Sequence, residues 1–244
     1  MHDPAVPMRQ SAPSPGAPWA SELAYRMRRH FTLKLVGTTV ITTLFFIAYF
    51  HLLRHPMHPV TVMPLTAIDR VVAFRPEALF PYLSLWLYIG IGPGMQRTFA
   101  ALSVYGLWMV AMCVTGLGFF HFWPTAVPPM GFDASGFPGF KLLQGVDASG
   151  NACPSMHVAA AIFTAIRIED VLRSIGAPRT LRAVNMVWFA AIAWSTLATR
   201  QHVAIDAGAG ALLGGLFALS SLYWRPGGQR ISWNRTPTQK EKTP

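Results

Sequence analysis

The chain has 244 residues, of which 52% are hydrophobic and only 12% charged, with a mean hydropathy of +0.35. A soluble domain carries about 25% charged residues, so half that share, together with eight Trp and sixteen Phe, argues against an ordinary water-soluble domain and makes lipid the expected solvent for much of the chain. The formal charge of +10 does not signal a nucleic-acid partner, because the basic residues lie between apolar runs, form no stripe and accompany no reading motif.

The first twenty residues, "MHDPAVPMRQSAPSPGAPWA", are rich in Pro, Ala and Ser and lack the apolar core of a signal peptide, so residues 1–30 are expected to be a disordered cytoplasmic tail. Six apolar runs follow, at about 33–53, 79–95, 98–123, 155–173, 180–199 and 203–224. Most approach the ~20 residues that span a bilayer as a helix; the second is short and ends in "GIGPG". The expected fold is an all-α polytopic membrane helical bundle of about six transmembrane helices over residues 31–225, followed by a basic cytoplasmic tail, 226–244. Between the runs, residues 124–152 hold four prolines and five glycines, which predicts an irregular loop and no seventh helix. Two cysteines provide no disulfide framework and no metal-ligand set: Cys113 reads as a small core residue and Cys153 as a bystander.

An even number of spans puts both termini on one side and sorts the twenty Lys and Arg. One side receives Arg9, Arg26, Arg28, Arg29, Lys34, Arg97, Arg167, Arg173, Arg179, Arg182, Arg225, Arg230, Arg235, Lys240 and Lys242. The other receives Arg54, Arg70, Arg75, Lys141 and Arg200. Positive residues stay inside, so the larger group is assigned to the cytoplasm and both long loops, 54–78 and 124–152, to the outer face.

Two short stretches then stand out. In "NACPSMHVAAAIF", Ser155 and His157 sit where a loop becomes a helix; in "TRQHVAIDAGAG", Arg200, His202 and Asp206 crowd the start of another. Forty-five residues separate the histidines, a distance used up by two spans at ~1.5 Å per residue and a short turn, so both are expected at the outer face. Each residue has a plain structural role available: Ser155 as an N-cap, His157 as an interfacial ring, Arg200 as a snorkelling helix-end residue. Asp206 is harder to dismiss. An unpaired carboxylate in such an apolar run costs at least ~2.5 kcal/mol, and His202 lies four residues earlier on the same helical face. A carboxylate holding one imidazole nitrogen leaves the other as a nucleophile. A guanidinium and a helix N-terminus suit phosphate oxygens, and a second histidine can serve as acid or base. That set of groups describes phosphoryl transfer.

The constellation resembles the phosphatidic acid phosphatase type 2 superfamily. Its middle motif, Pro-Ser-Gly-His, corresponds to Pro154-Ser155-Met156-His157, and its last motif is matched in part by Arg200, His202 and Asp206. The family's arginine six residues before the histidine corresponds here to Thr196, preceded by Ser195. "PSMH" with "STLATRQHVAID" looks more like the branch of inositol phosphorylceramide synthases. The first motif, a lysine and an Arg-Pro pair, is not recognisable near "FWPTAVPPMGF"; Lys141 and Arg75 are candidate substitutes as phosphate ligands.

The resemblance implies that His202 attacks phosphorus and carries a phosphohistidine, Asp206 orients it, His157 protonates the leaving group, and Arg200 and Ser155 hold phosphoryl oxygens. Met156 reads as filler or a substrate contact. No metal or cofactor is implied, since cationic and N–H donors would stabilise the charge. The implied partner is a membrane lipid phosphate, processed at the periplasmic side of an inner membrane. With water as acceptor the enzyme is a lipid phosphatase, the reading preferred here; with a lipid hydroxyl it is a phosphotransferase. Two other classes stay open: a transporter whose His, Arg and Asp form a proton or ion path, and an inactive scaffold.

Overall fold

The computed structural model describes residues 18–129, 136, 140 and 150–223. Its helices are α1 (Trp19–Arg28), α2 (Phe31–Arg54), α3 (Ala67–Val71), α4 (Leu79–Leu83), α5 (Leu85–Gly94), α6 (Phe99–Phe122), α7 (Met156–Ser174), α8 (Arg179–Ala198) and α9 (Ala204–Tyr223). A 3-10 turn at Pro76–Ala78 leads into α4, and two short strands, β1 (Thr61–Val62) and β2 (Thr125–Ala126), pair in parallel. The chain is therefore mostly helical, and each of the six apolar runs is helical.

Among the described residues four helices, α2, α6, α8 and α9, are long and apolar enough to cross a membrane by length and composition. The other two runs fall short of that standard for separate reasons. Helix α7 has nineteen residues, but Arg167, Glu169, Asp170 and Arg173 crowd its second half. The run at 79–95 breaks at Ser84: Pro81 lies in the turn before it, the Ser84 hydroxyl donates to the Pro81 carbonyl (2.7 Å), and the ring nitrogen of Trp188 donates back to Ser84 (2.9 Å). The expected count of about six thus reduces to four clear candidates, a charged central helix and a broken one.

Burial shows what each helix does. Eleven of the residues of α7 are buried, so it forms the axis of the bundle. By contrast α2 buries only Lys34 and Leu53, while Leu44 and Ile47 are exposed. A helix apolar on all sides with so little of it covered by protein has a surface suited to lipid. Exposed Val114, Val187 and Leu212 extend that surface over α6, α8 and α9.

Helix α1 revises the expectation of a disordered tail through residue 30. Trp19, Leu23 and Met27 pack against the core cluster around Leu85, Met95 and Ile168, and Glu22 pairs with Arg26 (2.7 Å) and Arg97 (3.4 Å). The helix turns into α2 at His30, which adopts a left-handed conformation (φ 56°).

Helix ends follow the local sequence. Thr98 caps α6 by accepting the Ala101 N–H. Helix α7 stops at Gly176 (φ +69°), where the Gly176 and Ala177 N–H groups return to the Arg173 and Leu172 carbonyls, a turn in which the left-handed position favours glycine.

The packing that matters most for the site is between α7 and α9. Gly210 and Gly214 lie one turn apart on α9, and a Cβ on either would overlap α7, meeting the carbonyls of Ser155 and Ala159. Small residues at this spacing let two backbones approach closely in an apolar medium. Helix α9 therefore lies directly on the beginning of α7.

One end of the bundle gathers the chain's longest connections. The Thr61 and Met63 N–H groups bond the Pro124 and Ala126 carbonyls; Thr125 and Asn151 form a bridge; the Asn151 amide donates to the Tyr49 carbonyl (2.9 Å); and the Arg75 N–H meets the Ala198 carbonyl (2.9 Å). At the other end lie α1, the α5–α6 turn and the α7–α8 turn, with Glu169 paired to Arg173 and Arg182.

Candidate active site

The start of α7 and the turn between α8 and α9 meet at the first of these ends. Ser155 is the N-cap of α7, its hydroxyl accepting the Val158 N–H (3.3 Å), and its own N–H donates to the Asp206 carbonyl (2.9 Å). The side chain is fully buried, so in this conformation Ser155 serves as cap and joint between two helices. The structure does not present its hydroxyl to a ligand, as the phosphate-binding expectation requires.

The α8–α9 turn has an unusual shape. Helix α8 ends in the same hydrogen-bonding pattern as α7, with the Arg200 N–H on the Leu197 carbonyl and the Gln201 N–H on the Thr196 carbonyl. Arg200 occupies the left-handed position (φ 59°) where glycine is usual. The Thr196 carbonyl also accepts from His202 N–H (3.0 Å), which holds the histidine against the end of α8. The Thr196 hydroxyl bonds within its own helix to the Ala193 carbonyl, and Ser195 to that of Ile192. Neither takes the place of the arginine that the resembled family has there.

Helix α3 clamps this turn from outside. Arg200 Nη1 donates to the Asp69 carbonyl (2.8 Å), and Asp69 Oδ1 accepts the Ala204 N–H (2.8 Å). Asp69 Oδ2 accepts from the backbone and hydroxyl of Thr66, both at 2.7 Å, completing a capping box. Burial alone would raise the Asp69 carboxyl; the hydrogen bonds from Thr66 and Ala204 and the charge of Arg200 outweigh it and hold the group below its ordinary value of 3.8. Asp69 thus grips the chain on both sides of His202. Nothing in its local sequence marks it beyond the Thr66-to-Asp69 capping spacing.

His202 is buried, with Nδ1 3.7 Å from Asp206 Oδ2, ion-pair distance and too long for a hydrogen bond. Asp206 is fully buried, and Oδ2 accepts the Val203 N–H (3.0 Å), so the carboxylate also caps the first turn of α9. On its other side, His202 Nε2 stands 3.4 Å from Nδ1 of His157. His157 is half-buried under an aromatic wall from the broken run, its ring 4.7 Å from that of Tyr82 and 6.3 Å from that of Trp86.

Both histidines line a cavity of about 760 Å³. Asn151 Oδ1 and His202 Nδ1, from two residues that line it, and Gln201 Oε1 and Asp206 Oδ1 are buried with no hydrogen-bond partner among the described residues. Unsatisfied polar atoms are rare in folded interiors and call for an explanation; Asn151 and Gln201 carry no motif signal in the sequence.

The remaining expected residues divide. Arg75 is exposed and reaches the site through its backbone bond to Ala198. Lys141 lies outside the described residues. Met156 packs on Gly116 of α6 and lines the cavity. Burial pushes the Cys153 thiol up to about 11, with the Asp206 charge adding to it, which disfavours a thiolate nucleophile. No group of three or more His, Cys, Asp and Glu suited to a metal occurs among the described residues. The chain matches no protein-family model, no curated protein and no solved structure.

Proposed function

We propose that the protein is an integral-membrane phosphoesterase that acts on lipid phosphates through a phosphohistidine on His202. The observation that carries this reading is the alignment Asp206–His202–His157: a carboxylate beside one imidazole nitrogen and a second histidine beside the other, with both histidines on the wall of an apolar cavity. Asp206 favours the tautomer with the proton on Nδ1 and leaves the Nε2 lone pair for attack.

Phosphorus enters between the two rings, which part to admit it. The N–P bond forms at His202 Nε2 as the P–O bond to the lipid breaks, and His157 gives a proton to the departing oxygen. A phosphate monoester keeps a proton that titrates near neutrality, so the substrate itself brings the proton His157 needs. In the second half, His157 takes a proton from the acceptor, whose oxygen attacks phosphorus and frees His202. Arg200, anchored by one nitrogen, has further N–H donors to offer the phosphoryl oxygens.

With water as acceptor the product is inorganic phosphate. A lipid hydroxyl in the same position makes the enzyme a phosphotransferase. The cation distribution supports a site on the periplasmic side of an inner membrane, with six crossings and both termini in the cytoplasm. The test is phosphate release by purified protein from a panel of lipid phosphates, with and without a lipid alcohol, together with acid-labile phosphate trapped on His202. No release, no transfer and no trapped phosphate would sink the proposal.

A further inference from the structure

The cavity does not end at the histidines. Its α2 wall follows one stripe from Phe50, next to the Tyr49 carbonyl that holds Asn151, to Leu33. Those seventeen helical steps correspond to ~26 Å at ~1.5 Å per residue. The hydrocarbon core of a bilayer is ~30 Å thick, so the cavity extends well past the ~15 Å depth of one leaflet. Apart from scattered hydroxyls, the wall between its ends is apolar. At the far end Lys34 contributes its stem, because its ammonium is held by the carbonyls of Arg26 (2.6 Å) and Gly94 (2.7 Å).

We infer that this cavity holds the apolar chain of the substrate, and that the preferred lipid phosphate carries a chain longer than one leaflet. The inference rests on the proposed reaction for its headgroup end. Continuity is the argument: the cavity that His157 and His202 line is the same one that runs to Lys34, so a chain attached to the phosphate is led into it. Ordinary acyl chains fill only the outer half. A longer chain gains apolar contact in proportion to the extra area covered.

Two glycines make the inner half adjustable. A Cβ at Gly37 meets nothing within 4 Å, and one at Gly106 meets only the Ile41 side chain at 3.9 Å, although both residues line the cavity. Bulk added there enters the cavity without disturbing helix packing.

The test uses non-hydrolysable alkyl phosphonates of about 12 and about 24 carbons, one and two leaflets deep, each with a terminal diazirine. After photolysis with purified protein, cross-links are mapped by mass spectrometry. The shorter probe should label near Thr42 and Val110, the longer one near Leu33 and Leu102. Gly106→Phe should remove the deep labels and lower kcat/KM for the long-chain phosphate at least tenfold relative to the short one. Labels that do not move with chain length, or that spread over outward-facing Leu44 and Val187, overturn the inference. Labelling that appears only after removal of residues 1–17 also overturns it, since the occupant would then be the chain's own N-terminus. Ordered labelling without phosphate release leaves the cavity assignment standing and removes the reaction. Release with unordered labelling does the reverse.

Discussion

His157 Nδ1 and His202 Nε2 stand 3.4 Å apart across forty-five residues of chain, and each belongs to a different helix start. The contact needs three independent arrangements. Ser155 must join α7 to Asp206, Gly210 and Gly214 must let α9 lie on α7, and Asp69 must hold the α8–α9 turn. Each arrangement can be removed separately.

His202→Ala should abolish phosphate release and histidine phosphorylation while leaving membrane insertion intact. His157→Ala should hurt lipid monophosphates more than an aryl phosphate, because an activated leaving group needs less protonation. Steady-state kinetics on both substrates decide this. Equal losses would assign His157 to positioning.

Arg200 combines a left-handed backbone with a guanidinium anchor. Arg200→Gly relieves a backbone cost of about 1–2 kcal/mol but loses the bond to Asp69, whereas Arg200→Ala loses the bond and keeps the strain. The glycine variant should melt higher than the alanine variant, and both should be strongly impaired in kcat/KM. Equal melting temperatures would remove the strain argument.

Gly210→Leu places a side chain against the Ser155 carbonyl, which is backbone and cannot rotate away. It should destabilise the protein by roughly 1–3 kcal/mol or more and abolish activity. Gly208→Leu, where an added Cβ meets nothing within 4 Å, is the control and should melt close to the wild type. Thermal unfolding in detergent compares them.

Asp69 links pH to stability. Its folded carboxyl lies below the ordinary value of 3.8, so the stabilisation is fully present above about pH 4 and is lost as pH falls through the folded value. Asp69→Asn should melt lower than wild type at pH 6, and the difference should shrink as pH is lowered toward 3. A constant gap across that range would show that the carboxylate charge contributes nothing.

Sidedness is testable with single cysteines in a background lacking Cys113 and Cys153. Arg70→Cys and Ser174→Cys occupy exposed positions near opposite ends of the bundle. An impermeant thiol reagent applied to cells with a permeabilised outer membrane should label residue 70 and spare residue 174. The opposite pattern would turn the site toward the cytoplasm.

Much of the helical framework was legible because apolar runs are long-range compositional features that need no partner to be seen. The meeting of His157 with His202 was legible for a similar reason: helix length converts directly into depth. Asp69 was not, because its role depends on α3 docking against a turn 135 residues later. The helical state of residues 19–28 was hidden by the Pro- and Ala-rich sequence before it and depends on a cluster supplied by α5, α7 and α8. Asp206 was read as needing His202, but its closest bond is to the Val203 N–H, a local cap that competes with the imidazole for the same oxygen. The glycine pair on α9 was visible as a spacing, and its meaning emerged from what lies opposite.

The lodging of Gly210 and Gly214 against α7 also bears on how the protein is made. Helix α9 is the last described helix to leave the ribosome, and it supplies Asp206 along with the surface that fixes Ser155. Until it is made, His157 in the first turn of α7 lacks Asp206 and the backbone that Asp69 holds at Ala204. The arrangement of Asp206, His202 and His157 is therefore completed late in synthesis. A chain truncated before residue 204 therefore carries both histidines but lacks Asp206 and the glycine face that seats α9 on α7.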